Sequence, residues 1–370
     1  GGSSLLPRFA VADDGTLLGV VGQLDGVVTP GVSLYRSDDG GCSFTPVAGL
    51  DGHLVADAAF LPGQPAVAVA VTADLGEGVG NGVHRSIDGG RSWEEVAFAP
   101  GRIQRSVLAG PGGRVYAVSI ALEPPAAFLA RSDDGGAQFT ERALTPPDGA
   151  SPLITSLLAV DPVNPDELWV RFDGDAGDRA LRSLDGGATW LAPEGLPEIV
   201  LDLTLTPDGG ALLAGGARNL YASSDRAVFT RVDSTAQIWG GATAPALGFV
   251  AALNTLSEDD AVAASQDGGR TFASLLRTTE IEGPRVCAPD SDVARVCGPL
   301  WPVLQENLAR LRPTDDDDDD DSAAPPPPSD CAGCSDGSLA ALLPLLVLPG
   351  RRRRQPQSRV GSPDSRRTIR

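Results

Sequence analysis

The sequence predicts an all-β chain folded as a six-bladed β-propeller with four-stranded blades. Two observations carry this. A short turn motif occurs six times, and the runs between copies are β-rich, short and broken by Gly, Pro and Asp. The copies are "RSDDGGCSF" (36–44), "RSIDGGRSW" (85–93), "RSDDGGAQF" (131–139), "RSLDGGATW" (182–190) and "ASQDGGRTF" (264–272), with a worn "SSDRAVF" at 223–229. Their serines stand at 37, 86, 132, 183, 223 and 265, so the spacings are 49, 46, 51, 40 and 42 residues. Runs such as "AVAVAVTA" (66–73), "RVYAVSI" (114–120) and "ELWVRF" (167–172) precede the motif, and no long 3.6-residue stripe competes with them. Each unit reads as strand, turn, strand, loop, strand, motif, strand, which is one blade.

The motif has its own logic. Asp39, Asp88, Asp134, Asp185 and Asp267 can accept hydrogen bonds from backbone N–H groups of their own turns. Ser37, Ser86, Ser132, Ser183 and Ser265 can add hydroxyl bonds, and the paired glycines supply the positive φ that the turn requires. An aromatic residue such as Trp93 or Trp190 then opens the next strand as an apolar anchor. Six such clips close six hairpins. The first blade begins near Leu5 and the last ends near Ile281; residues preceding Gly1 would add a seventh.

The pattern Ser-x-Asp-x-Gly-x-Thr/Ser-Trp/Phe resembles the Asp-box, or BNR, repeat of β-propellers, over residues 5–285. The resemblance implies a propeller and no single activity, since the box occurs in sialidases, sortilin-type receptors, xyloglucanases and photosystem assembly factors. In that family the box is structural and lies away from the active site. With strands A to D counted outward from the axis, the motifs are C–D turns. A ligand face therefore belongs to the B–C and D–A loops at the other edge. Residues 24–31, 74–82, 121–127 and 172–179 are the B–C loops, and 50–53, 99–105, 145–151, 193–199 and 233–245 are the D–A loops. Glu77, Arg102, Arg105, Asp173, Asp175 and Trp239 are the ligand-binding candidates there, against the plainer reading of solvated loop residues. "DGDAGD" (173–178) alternates Asp with Gly as a calcium loop does, but it lacks the later Glu; it is read as an acidic turn and no metal is expected.

Composition narrows the function. Among 370 residues every basic side chain is Arg, so Schiff-base chemistry and a P-loop lysine are excluded. The net charge is −20; residues 313–370 hold ten acids and eight Arg, which leaves −18 on residues 1–312. Such a body repels phosphate backbones, so nucleic acid is not an expected partner. A sialidase would need a Tyr–Glu nucleophile pair, yet Tyr35 and Tyr221 occupy a repeated strand-C slot and Tyr116 an apolar strand. His84 falls in the same slot as Tyr35 and is read as packing, and His53 has no nucleophile with a suitable signature beside it. No catalytic residue and no cofactor is assigned. The favoured function is a monomeric, non-catalytic module that binds a protein or glycan or has a structural role in the envelope or matrix. The alternative is a glycan-acting hydrolase, which needs only two suitably spaced carboxylates.

The chain starts without Met or an apolar leader, so either a signal peptide has been removed or the sequence is incomplete. The C-terminal part divides further. Residues 286–312 form an extension in which Cys287 and Cys297, enclosing nine residues, are expected to pair, with Trp301 and Leu304 covering the propeller edge and "QENLAR" forming a short helix. Cys42, at the variable motif position, is expected to be an exposed free thiol. Residues 313–330, seven Asp followed by a proline run, are a disordered stalk. Residues 331–354 combine "CAGC", a leucine-rich run and Arg351–Arg354, and 355–370 are a disordered tail. Cys motif, apolar run and Arg cluster together resemble the C-terminal sorting signal of myxobacterial surface proteins. That implies export and anchoring at the cell surface, with Cys331 or Cys334 as the attachment site. The apolar run, about 18 Å as a helix, is too short for a bilayer core of about 30 Å and suits a transient signal.

Overall fold

The computed structural model describes residues 8–20, 34–50, 52–74, 81–98, 101–174, 177–206, 208–216, 218–234, 236–244, 246–253 and 260–310. Glu77, Asp175, Cys331, Cys334 and the whole stalk and sorting segment lie outside them. The described chain is almost wholly β. Blade one holds β1 (Arg8–Val11), β2 (Leu17–Val20), β3 (Leu34–Ser37) and β4 (Thr45–Pro46), and blade two holds β5 (Val55–Leu61), β6 (Gln64–Thr72), β7 (Gly82–Ser86) and β8 (Glu94–Phe98). Blade three holds β9 (Arg102–Ala109), β10 (Val115–Ala121), β11 (Ala126–Ser132) and β12 (Thr140–Leu144). Blade four has β13 (Ala150–Val160), β14 (Leu168–Gly174) and β15 (Arg179–Ser183). Blade five has β16 (Val200–Leu205), β17 (Ala211–Gly215), β18 (Leu220–Ser223) and β19 (Thr230–Arg231), and blade six β20 (Ile238–Ala244), β21 (Gly248–Leu253), β22 (Asp260–Ser265) and β23 (Ala273–Arg277). Each sheet is a simple antiparallel meander, and the six form a six-bladed propeller. One blade departs from the expected four strands. Blade four ends in a single bridge, Arg182 to Leu191, because Pro193 lacks an N–H to continue the ladder. The chain there turns to blade five instead: Glu194 N–H donates to Ala227 and Phe229 N–H to Glu194, both at 2.8 Å.

All six repeated turns fold as the sequence predicts. In blade two, Ser86 Oγ donates to Asp88 Oδ1 at 2.8 Å and accepts from Gly90 N–H at 2.8 Å. Asp88 Oδ1 also accepts the N–H groups of Arg91 and Ser92, at 3.0 and 2.9 Å. At Asp88 burial pushes upward, but the hydroxyls and N–H groups around it prevail and hold the carboxyl well below the usual range. Hydrogen bonds from Thr189 hold Asp185 at about 2. Asp88→Ala is expected to lower stability by about 1–3 kcal/mol, since two turn N–H groups lose their acceptor. An unchanged melting temperature would reject the clip argument. The worn copy keeps the carboxylate: Asp225 Oδ1 accepts from Ser223 Oγ at 2.9 Å and from Ala227 N–H at 2.9 Å. Its glycine pair is replaced by Arg226, which sits at φ 61°.

In blades one, two and four the arginine before the serine reaches the next blade's turn. Arg36 Nε donates to the Gly89 carbonyl at 2.7 Å, Arg85 Nε to Gly135 at 2.8 Å and Arg182 Nη1 to Asp225 at 3.0 Å. Blades five and six have Ala222 and Ala264 in this position. The link from the sixth blade's side to the first is made by the C-terminal extension, whose Arg285 donates to the Gly40 carbonyl. Beside it Cys42 and Cys287 form a disulfide across 245 residues, Val293 N–H donates to Cys42 at 3.0 Å, and Asp292 accepts from Phe44 N–H at 3.0 Å. This corrects two expectations. Cys287 pairs with Cys42 and not with Cys297; Cys42 is buried and bonded, and Cys297 is a half-buried free thiol. The reason is tertiary: the extension leaves blade six and crosses directly onto the turn of blade one. It ends in α1 (Gly298–Arg310), which starts earlier than "QENLAR" because Pro299 is tolerated in a first helical turn.

Apolar side chains fill the seams between blades. Leu18 and Leu34 pack with Val55 and Phe60 between blades one and two. Similar clusters join two to three, three to four, four to five and five to six. No such cluster joins blades six and one among the described residues. There Phe9 and Val11, on the face of β1 turned away from blade two, are 57% and 63% exposed. The clasp therefore spans the seam with the least apolar burial.

Candidate functional site

The meander puts the repeated turns at one end of the propeller and the B–C and D–A loops at the other. Four of the six ligand-binding candidates are described. Arg102 opens β9, pairs with Glu141 and lies 3.5 Å over the Phe128 ring, so it is engaged within its own blade. Asp173 stands opposite Ser151 in the β13–β14 ladder, beside Asp178. Trp239, second in β20, stacks on Arg218 at 4.0 Å. Arg105 lies half-buried in β9, the first strand of blade three. No hydrogen bond, ion pair or ring contact joins these four to one another; the candidates do not form one cluster among the described residues.

The inner strands carry a constellation that sequence reading missed. Asp57 in β5 accepts the Val107 N–H of blade three at 3.1 Å. Ser106 in β9 accepts Leu157 N–H of blade four at 2.9 Å, and Asp202 in β16 accepts Gly241 N–H of blade six at 2.9 Å. All three stand at irregularities in their ladders, which turn the side chain toward the neighbouring blade. Asp178 adds a fourth link, to Val200 N–H at 2.7 Å. Burial pushes the carboxyls of Asp57, Asp178 and Asp202 up, against the N–H groups that favour the ionised form. A signal for part of this exists in the sequence: Val-x-Asp occurs at 55–57 and again at 200–202.

Three arginines stand among these links. Arg8, first in β1, pairs with Asp57 at 3.4 Å. Arg171 in β14 donates to the Val200 carbonyl at 2.6 Å and lies 3.8 Å from Asp178. Among the described residues Arg105 makes no ion pair and no hydrogen bond, and its buried Nε has no partner there; nor has the Nε of Arg171. Burial, then the charges of Arg8 and Arg171, push the Arg105 guanidinium down. Blades one and four face each other across a six-bladed ring.

A second polar cluster ties two loops of blade two. Asp74 accepts from Leu54 N–H at 2.7 Å and pairs with His53 at 2.9 Å, while Asn81 bonds the Asp74 backbone and the Arg102 carbonyl. His84 is buried in β7, as its repeat slot predicts, and burial with the nearby His53 pushes it down to about 4. No group of three or more His, Cys, Asp or Glu able to hold a metal occurs among the described residues.

No family model matches the chain, and no curated protein matches it. Among solved structures it is similar to a GH74 enzyme from Niastella koreensis, at 14% identity and a TM-score of 0.53, over 75% of this chain and 46% of that one. The shared feature is the β-propeller fold. An ancestral GH74 enzyme is similar at 15% identity with a TM-score of 0.49, over 74% of this chain and 38% of that one. A Hadza microbial sialidase is similar at 17% identity with a TM-score of 0.42, over 64% and 60%. This chain thus spans less than half the length of either GH74 enzyme.

Proposed function

We propose that this chain is a non-catalytic binding module of the Asp-box propeller type, exported and displayed at the cell surface, with its ligand face at the end opposite the repeated turns. The observation that carries the non-catalytic reading is the use made of the inner-strand carboxylates. A glycosidase needs two carboxylates about 5–10 Å apart and free to exchange protons with substrate. Asp57 and Asp202 instead each hold a backbone N–H of another blade, which makes them parts of the frame. The surface location rests on the Cys motif, apolar run and Arg cluster of residues 331–354; among the described residues no helix is long and apolar enough to cross a membrane.

The test is turnover measured beside stability on the exported full chain. No hydrolysis of xyloglucan oligosaccharides, chromogenic β-glycosides or sialosides is expected, and Asp57→Asn and Asp202→Asn should each lower the melting temperature. Turnover that Asp57→Asn or Asp202→Asn abolishes without a loss of stability would replace this reading by the glycan-acting hydrolase. Mutating Cys331 and Cys334 together should move the protein from the cell fraction to the medium. Protein that stays cell-bound would reject the anchor.

A further inference from the structure

Three cysteines meet at the clasp, and one is left over. Cys42 and Cys287 are bonded, and Cys297 is a half-buried free thiol. The short helix Val293–Cys297 begins where the Val293 N–H donates to the Cys42 carbonyl at 3.0 Å. Cys297 stands four residues further on, one helical turn and at most about 6 Å of rise from Val293. It is also only ten positions from Cys287 in the chain. Cys287 is therefore the shared member: Cys42 holds it in the fold, and Cys297 is its neighbour in sequence. Separation decides which reaches it first. Cys42 and Cys287 are 245 residues apart. Loop closure in an unfolded chain falls roughly as the three-halves power of loop length, so before folding the pair with Cys297 closes about a hundredfold more readily. We infer that Cys297 is a transfer thiol: it holds Cys287 in a transient disulfide while the chain is unfolded and yields it to Cys42 when the ring closes.

The chemistry balances in two steps. First, a small disulfide such as oxidised glutathione, the oxidant class of an exporting compartment, takes up two electrons. The Cys287 and Cys297 thiols lose their protons and join, and the oxidant leaves as two thiols. Second, the Cys42 thiolate attacks Cys287 Sγ. The Cys42–Cys287 bond forms, the Cys287–Cys297 bond breaks, and Cys297 leaves as a thiolate that takes up the proton Cys42 gave. The second step involves no net oxidation, so folding alone drives it. The driving contacts are those that arise when blade one meets the extension: Val293 N–H to the Cys42 carbonyl, Phe44 N–H to Asp292 and Arg285 to the Gly40 carbonyl. Cys42 is buried in the finished clasp, which shields its side of the bond from thiols in solution. Neither step depends on the binding-module reading.

The experiment dilutes reduced, urea-unfolded full chain into buffer holding reduced and oxidised glutathione. Samples are quenched with acid at intervals, alkylated and mapped after trypsin, which cuts between Cys287 and Cys297 at Arg295. The Cys287–Cys297 link is expected first and should decay as Cys42–Cys287 grows, with Cys297 alkylated at the end. Cys42→Ser should stop at Cys287–Cys297. Cys297→Ser should reach the wild-type melting temperature, because its clasp is intact, yet form that clasp about tenfold more slowly or worse. A wild-type time course in which Cys42–Cys287 forms with no earlier Cys287–Cys297 species would overturn the transfer role. So would clasp formation in Cys297→Ser at the wild-type rate. A Cys287–Cys297 link that persists beside a free Cys42 in the folded protein would overturn the second step, and the clasp with it.

Discussion

Replacing Arg226 by Met is expected to cost about 3–5 kcal/mol, the loss that follows removal of one partner from a buried ion network. Arg226 is 4% exposed and pairs with Asp161 and, at 3.0 Å, with Glu167. Its Nε donates to Gly210 and its Nη2 to Thr206, both at 2.8 Å. Glu167 also receives Arg182 at 2.9 Å, and Asp161 accepts Val163 and Asn164 N–H groups at 2.7 and 2.6 Å. The cluster joins the turn edges of blades four and five, where the sixth copy of the motif has lost its glycines. The worn copy is thus compensated: a residue strained at positive φ is held there by four polar contacts. Arg226→Met leaves two carboxylates short of a partner. Urea unfolding is the measurement, with Arg226→Met/Asp161→Asn/Glu167→Gln as the companion variant that should recover part of the loss. A midpoint shift equivalent to less than about 1 kcal/mol would place this network in the class of surface ion pairs.

Breaking the clasp should have the largest effect of all. In the chain-entropy model a disulfide spanning 245 residues restrains the unfolded chain by about 5 kcal/mol, against about 2–3 kcal/mol for the nine-residue loop that the sequence suggested. Cys287→Ser is therefore expected to lower the melting temperature by about 10 °C for a domain of this size. The damage should be local before it is global. The seam between blades six and one has no apolar cluster among the described residues, and Arg285, Asp292 and Val293 are the hydrogen-bonded links across it. Hydrogen exchange should rise first in β1–β4 and β20–β23 and only later in blades three and four. Equal melting temperatures for Cys287→Ser and the wild type under oxidising conditions would show that the hydrogen bonds alone close the ring.

The sequence by itself determined the features that depend on near neighbours. Period-two runs make strands, and Ser-x-Asp-x-Gly satisfies its own turn within a few residues. Their recurrence at 40–51-residue spacing counts the blades. Even the slots of Tyr35, His84 and Tyr221 in the third strand could be read from the repeat, because position relative to the motif fixes the face on which a side chain lies. What joins one blade to another was decided by the tertiary structure. Cys42 looked like a variable surface position until the extension from blade six was seen lying across it. Arg226 looked like decay of the motif until Asp161, 65 residues away, was found beside it. Arg8 and Asp57, or Arg171 and the Val200 carbonyl, come from different blades, and nothing in their local sequence marks them as neighbours. Asp57 and Asp202 are acceptors for N–H groups 50 and 39 residues away. The physical reason is the same in each case. A hydrogen bond inside a turn is specified by residues that are already close, whereas a contact between blades exists only after the ring has closed and has brought distant strands around one axis.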